Sequence, residues 1–267
     1  MKPLKTLSIL TLALLCSCAA KRVVPTNSNN LILNGKTWAA LWHQRAAEYK
    51  ALCYQAYNTA QYRLNIAMQK NYLKPVAIIT DIDETVLDNS PNTVKQVMAG
   101  KDYEPESWYN WTSKAQCDTI PGAASFLKYA ASKSISIFYI SNREGRELEG
   151  TLTNLQKFGL PNADKEHVLL KQSGSEKESR RLNVTQNYEV ILLIGDNLSD
   201  FSQAFDKQTD ENRTSITTQS SSNFGSRYIV LPNAIYGDWE AALYQYKYHL
   251  NTKEKEGIIK KALKAEN

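Results

Sequence analysis

Four short apolar runs in this chain each stop at a residue able to bind or react. Val76 to Thr80 runs into Asp81, and Ile135 to Ile140 into Ser141-Asn142-Arg143. Val168 to Leu170 runs into Lys171, and Val190 to Ile194 into Gly195-Asp196-Asn197-Leu198-Ser199-Asp200. A fifth run, Tyr228 to Leu231, completes the set. Runs this short, continuous rather than alternating, are typical of strands covered on both faces. Helical patterns lie between them: Pro121 to Ser132 opens with a proline at a helix entry, and Leu148, Leu152, Leu155 and Phe158 share a face stopped by Gly159 and Pro161. Strand and helix in alternation predict an α/β fold with a parallel sheet flanked by helices.

The chain has 267 residues, enough for one such domain with elaborations, and 42% of them are hydrophobic, enough for a full core. Its first residues read as a processing signal. Lys2 and Lys5 precede an apolar stretch from Thr6 to Leu15, too short for a permanent membrane span. Ser17-Cys18 follows without an A-x-A-like site and resembles a bacterial lipobox, which predicts a signal peptide over 1–17 and lipidation of Cys18. Acyl chains there would anchor the protein to a bacterial membrane. Residues 18–34 read as a flexible tether and 35–267 as the folded domain. Without Lys2 and Lys5 the chain keeps thirty basic residues against 27 acidic ones, too small an excess to argue for a nucleic-acid polymer as partner. The three histidines are at no zinc-ligand spacing, so a metal would be held by carboxylates and be a hard cation. Cys53 and Cys117 are either a disulfide, which an oxidising compartment allows, or two separate buried thiols.

A helix is expected over about 37–69, where Trp38, Leu41, Trp42, Tyr49, Leu52, Cys53, Tyr57 and Leu64 recur at three- and four-residue steps as a packing face. Residues 90–120 carry Trp108, Tyr109 and Trp111 without clear periodicity and suggest a cap-like insertion. Residues 207–226, rich in Thr, Ser, Asn and Gln, read as a long polar loop, and 238–265 as a Lys-rich amphipathic helix.

In open parallel sheets ligands bind beyond the carboxyl ends of the strands, at the switch point. Two adjacent strand ends there would gather Asp81, Asp83, Asp196 and Asp200, four carboxylates that a divalent cation would hold ionised. Ser141 and Asn142, leading into a helix, suit a phosphate, and Lys171 can add a point charge. A carboxylate nucleophile, a metal, a cation and amide donors are the equipment of phosphoryl transfer.

Asp81-Ile82-Asp83-Glu84-Thr85-Val86-Leu87 resembles the first motif of the haloacid dehalogenase (HAD) superfamily, and Ser141, Lys171 and Gly195 to Phe201 match its second, third and fourth motifs. Ile79 to Asn89 and Ile191 to Phe201 further resemble the two signatures of the class C, or bacterial lipoprotein, nonspecific acid phosphatases, as does Leu231-Pro232-Asn233-Ala234-Ile235-Tyr236-Gly237-Asp238-Trp239-Glu240. One departure is visible, since Asn92 stands where the first signature usually has tyrosine. The resemblance implies a Rossmannoid sheet with a small, mainly helical cap. It implies that Asp81 forms an aspartyl-phosphate and that Asp83 serves as acid and then base. Mg²⁺ would be held by the Asp81 carboxylate, the Asp83 carbonyl and Asp196, with Asp200 ligating or holding its waters. Ser141, Asn142 and Lys171 would take the phosphate.

The implied substrates are small phosphomonoesters, 5′-nucleotides and aryl phosphates foremost, hydrolysed at acidic pH. Trp108, Trp111, Tyr236 and Trp239 are candidates to stack a flat leaving group, with packing as their alternative role. The rival readings are a HAD phosphatase for another ester such as a sugar phosphate, and a non-catalytic nucleotide-binding lipoprotein. The expected location is the bacterial cell envelope, at the outer membrane because Ala19 rather than Asp follows Cys18. A homodimer is compatible with the sequence.

Overall fold

The structure, a computed structural model, describes residues 30–266 apart from 173 and 175. The predicted signal segment, Cys18 and residues 18–29 of the predicted tether lie outside the described residues. In chain order the elements are α1 (Leu31–Arg45), α2 (Ala47–Ala67), β1 (Val76–Thr80), β2 (Leu87–Asp88), α3 (Ser90–Met98), α4 (Pro105–Thr112), β3 (Asp118–Thr119), α5 (Ala123–Ser132), β4 (Ser136–Glu144), α6 (Leu148–Lys157), β5 (Val168–Lys171), α7 (Glu178–Asn187), β6 (Glu189–Gly195), α8 (Asp210–Gln219), β7 (Tyr228–Val230), α9 (Asp238–Leu243) and α10 (Thr252–Ala262).

The five predicted strands form one parallel sheet in the order β5-β4-β1-β6-β7. Both of its faces are apolar, because successive residues of each strand point to opposite sides. Ile78, Ile137, Tyr139, Leu192 and Ile194 pack with Tyr57 and Leu64 of α2 and Phe126 and Leu127 of α5. Ala77, Ile79, Phe138, Ile140 and Leu193 pack on the other side with Val184 of α7 and Phe201. Each fully buried Ile or Leu in these layers contributes about 2 kcal/mol. From β1 the chain winds to one side through β4 and β5, then returns to place β6 on the other side of β1. The carboxyl ends of β1 and β6 are therefore the switch point. There the Asp81 amide donates to the Ile194 carbonyl at 2.8 Å.

The insertion is closed at its base by a two-residue antiparallel ribbon pairing β2 with β3, and α3 and α4 form its body. It is helical although its apolar residues show no clear period, because prolines at the start of both helices fix their entries. Gly150 lets α6 approach it closely, since a Cβ there would lie 2.7 Å from the Thr112 carbonyl.

Three expectations about helices need correction. The single helix over 37–69 is two helices, starting at Leu31 within the predicted tether and broken at Ala46, whose ψ of 128° is extended. The break turns α1 onto α3 and stacks His43 on Tyr49 with centroids 4.2 Å apart. Trp38, expected on the packing face, is 72% exposed, and Leu41 and Leu52 are exposed as well. The polar stretch 207–226 contains α8, capped by Thr209 and pinned by buried Arg213, which donates to the Phe205 carbonyl at 3.0 Å. Composition suggested a loop, but one buried arginine and a good cap suffice to set a short polar helix. The predicted C-terminal helix is likewise two, α9 and α10, separated by a turned segment from 244 to 251. Cys53 and Cys117 are separate buried thiols.

Candidate active site

β1 ends at Thr80, and the chain turns sharply through Asp81 to Leu87. The Val86 and Leu87 amides both donate to the Ile82 carbonyl at 2.8 Å, and Glu84 takes a left-handed φ of 55° that the turn requires. From α2, the buried Tyr57 hydroxyl donates to the Thr85 carbonyl at 2.6 Å and ties the turn to the core. Glu84 is itself fully buried and receives the Asn89 amide at 2.8 Å and the Tyr236 hydroxyl. Burial, reinforced by Asp83 and Asp196, lifts its carboxyl well above the usual range.

β6 delivers the second carboxylate group. Past Gly195, Asp196 receives Asn233 Nδ2 at 2.7 Å and the Thr85 hydroxyl at 3.3 Å. Asp200 folds back in a reciprocal cap, its Oδ2 accepting from the Asn197 amide at 3.0 Å. Gly195 makes room for this fold, since a Cβ there would collide with the Asp200 carboxylate. Oxygens of Asp81, Asp196 and Asp200 converge to within 4.8 Å of one another.

Lys177, buried just ahead of α7, donates to Asp81 Oδ1 and, at 2.7 Å, to Asp200 Oδ1. An ammonium at a helix N-terminus opposes the helix dipole, so these carboxylates are what hold it there. The Asp81 carboxyl is raised to about 7, first by burial and further by Asp200 and Asp83, against the opposing pull of Lys177. Asp196 is raised well above the carboxylate range, first by burial and then by Asp200 and Asp81. Three converging carboxylates, Asp81 and Asp196 among them raised by burial and by their acidic neighbours, are a fit for a hard divalent cation.

Asp83 faces the other side of the turn. Arg143 binds it with Nη2 at 2.7 Å and Nε at 3.0 Å, Asn89 Nδ2 donates to it at 2.9 Å, and the Ser141 hydroxyl at 3.1 Å. Arg180 of α7 donates to the Ser141 carbonyl at 2.6 Å and to Asn142 Oδ1 at 2.9 Å, fixing the carboxyl-terminal end of β4, which runs on through these residues to Glu144.

Of the predicted site residues, the fold brings Asp81, Asp83, Ser141, Asn142, Asp196 and Asp200 to one cleft, with Trp108 and Tyr236 in its wall. Three predicted residues are not there. Lys171 lies on β5 in register with Glu144, away from the cleft, and Lys177 takes the position expected of it. Trp111 is turned inward, and its Nε1 donates to Asn89 Oδ1 at 2.9 Å, so it supports Asp83 through Asn89 rather than stacking a ligand. Trp239 is 45% exposed and outside the cleft wall. Sequence reasoning missed Lys177, Arg143, Asn89 and Arg180. Arg143 stood in the quoted Ser141-Asn142-Arg143 run, and a lysine opening a helix after a Gly-Ser loop was the available sign of Lys177.

The family model described as HAD superfamily, subfamily IIIB (acid phosphatase), matches residues 5–239. Two solved structures of the class C acid phosphatase from Bacillus anthracis, one with tungstate bound, are each 44% identical to this chain with a TM-score of 0.86. They cover 88% and 89% of this chain and 99% and 100% of their own. A stem 31 kDa glycoprotein of Glycine max is 26% identical over 128 residues, 46% of this chain and 50% of its own, so the chain spans about half the length of that relative. With its cleft built at the switch point of the HAD-like sheet, the chain belongs to subfamily IIIB of the HAD superfamily, the acid phosphatases.

Proposed function

We propose that this chain is a Mg²⁺-dependent phosphomonoesterase acting on small 5′-nucleotides and aryl phosphates. The observation that carries the reading is the buried Asp81 carboxylate, held by Lys177, within ligand distance of Asp196 and Asp200 and flanked by Asp83. The 44%-identical relative solved with tungstate, a tetrahedral oxyanion like phosphate, supports it. Asp81, Asp196 and Asp200, with the Asp83 carbonyl, would hold the cation, which would neutralise carboxylates and withdraw charge from the phosphoryl oxygens.

In the first step an Asp81 oxygen attacks phosphorus, the bond to the leaving oxygen breaks, and Asp83 gives that oxygen its proton. In the second, Asp83 takes a proton from water, the water oxygen bonds to phosphorus, and the bond to Asp81 breaks. Lys177 offsets phosphoryl charge throughout, and Ser141 and Asn142 at the end of β4 supply polar contacts to the phosphoryl oxygens. Arg143 and Asn89 keep the Asp83 carboxyl aimed at the reacting atoms.

Phosphate release across nucleotides, sugar phosphates and aryl phosphates, with and without EDTA from pH 4 to 8, tests this. EDTA abolishes turnover and added Mg²⁺ restores it. Asp81→Asn lowers kcat by about 10⁴-fold or more with an unchanged circular dichroism spectrum. Retained activity in that variant refutes the nucleophile, and turnover of sugar phosphates alone favours the rival specificity.

The cellular reading extends the proposal: acylation of Cys18 anchors the enzyme in the bacterial envelope, at the outer membrane, as a monomer or homodimer. No described helix is long and apolar enough to cross a membrane. Cys18→Ala should move the protein from the membrane to the soluble fraction, and unchanged fractionation would sink the anchor.

A further inference from the structure

Three cations open α7 on one face. Lys177, Arg180 and Arg181 stand three and four residues apart and share one side of its first turn. Each meets a different part of the sheet's carboxyl edge. Lys177 bridges Asp81 and Asp200. Arg181 donates to the Ser199 carbonyl at 2.7 Å and the Asp200 carbonyl at 3.0 Å, beyond β6. Arg180 spans the ends of β4 and β5, where its Nη1 donates to the Ser141 carbonyl at 2.6 Å and the Leu169 carbonyl at 3.0 Å. Its Nη2 donates to Asn142 Oδ1 at 2.9 Å and to the Glu176 carbonyl at 3.4 Å.

Among these partners of Arg180, Asn142 alone is a side chain, and an amide side chain has two unlike ends. One is an oxygen that accepts, the other an NH₂ that donates. A guanidinium has donors only, so Asn142 can meet Arg180 only through Oδ1. That contact commits Nδ2 to the opposite side, and among the described residues it has no partner. Asn142 is exposed and lines the cleft with Asp81 and Asp83, whereas Arg180 lies outside the cleft wall. The guanidinium is a rigid planar fork. Its Nη1 is pinned to backbone on two strands, which sets the plane in which Nη2 reaches the amide.

Granting the phosphatase reading, we propose that Arg180 is a positioning residue for phosphoryl transfer, one that locks the Asn142 amide with Nδ2 toward the phosphoryl oxygens. Without Arg180 the amide is free to rotate and present Oδ1, an acceptor, to an anionic group. With Arg180 in place the donor is oriented before phosphate arrives and needs no reorganisation when it binds. Arg180 itself touches neither substrate nor metal ligand, so its whole effect on the chemistry passes through Asn142.

The test is a double-variant cycle on the Mg²⁺-loaded full chain. It reads kcat/KM for phenyl phosphate and competitive inhibition by inorganic phosphate. Asn142→Ala removes the donor and should weaken both by about tenfold or more. Arg180→Met should weaken both by about tenfold where Asn142 is kept, and by less than about threefold in the Asn142→Ala background, where no amide is left to orient. Arg180→Lys keeps the charge without the planar fork and should follow Arg180→Met. It also carries the cycle should the methionine variant not fold. An equal loss on substituting Arg180 with and without Asn142 overturns the proposal and marks Arg180 as a tie between α7 and the sheet. So does inhibition by inorganic phosphate that is unchanged in Arg180→Lys. Failure of the phosphatase reading is separate, showing as no phosphate release from phenyl phosphate by the wild type.

Discussion

At the Asp81 end of the cleft, Asp83 alone takes bonds from Ser141, Asn89 and Arg143, and Lys177 spans Asp81 and Asp200. At the far end, α3 leaves two amide atoms unpaired, and Lys36, Asp102 and Lys255 form a looser ion-pair chain at 2.6 and 3.6 Å. The first end is made by strand termini in the middle of a parallel sheet. The second is made by the insertion and by helices at both ends of the chain. Phosphoryl chemistry is the same for every ester and can be over-determined by the sheet. Leaving groups differ, and their end is assembled from elements that can change without disturbing the strands.

Lys177 is where this contrast breaks most sharply. Lys177→Met leaves Asp81 and Asp200 without their shared cation partner, and should lower kcat/KM by about 10²–10³. Lys171→Met, at the last residue of β5 and outside the cleft, should change it by less than about twofold. Both follow from phosphate-release assays at saturating metal. A large loss in Lys171→Met with Lys177→Met near wild type would return the role to β5.

The two lysines also show how far the sequence is legible. Asp81, Asp83, Asp196, Asp200, Ser141 and Asn142 could be read because each follows an apolar run, and a parallel sheet collects the carboxyl ends of such runs at one edge. Lys177 does not follow a strand end. It reaches the site from a helix entry after a Gly-Ser loop, so its distance from β5 in sequence hides its place in space. Trp111 fails for another reason. An aromatic residue in an insertion has the same sequence signature whether it faces the cavity or the core, and only the hydrogen bond to Asn89 decides. The break at Ala46 was invisible because apolar spacing runs on across it. The depth of the helical supports was therefore less legible than the strands they flank.

The wall of the far end should yield to acid through His43. His43 lies in α1, which packs against α3; its ring is buried on Tyr49 of α2, and neither nitrogen has a hydrogen-bond partner. Burial lowers its pKa from 6.5 to about 4. A depressed histidine pKa means that the unfolded chain binds the proton first as pH falls. Stability is therefore full above pH 6.5, declines as pH drops toward 4, and then levels off. One pKa unit is worth about 1.4 kcal/mol, so about 2–3 kcal/mol is lost by pH 4.5. Carboxylates titrate in the same window, so the measurement is the difference between wild type and His43→Phe in urea midpoints at pH 7 and pH 4.5. The variant should lose less stability on acidification by that amount. Equal losses in the two proteins would show that His43 protonates in the fold without cost.

The smallest expected effect separates support from contact. Trp111 Nε1 and the Cys117 thiol both donate to Asn89 Oδ1, at 2.9 and 3.2 Å, while Asn89 Nδ2 donates onward to Asp83. Trp111→Phe keeps most of the ring packing and removes one of the two donors. The cost is about 1 kcal/mol, which for a domain of this size lowers Tm by about 2–4 °C. Because the lost bond acts on Asp83, kcat should fall by about two- to fivefold for every substrate alike, with KM held. A residue that stacked the leaving group would behave in the opposite way, raising KM for nucleotides and sparing small esters. Such a KM pattern in Trp111→Phe would move the residue from the supported end of the cleft to the end that reads the leaving group.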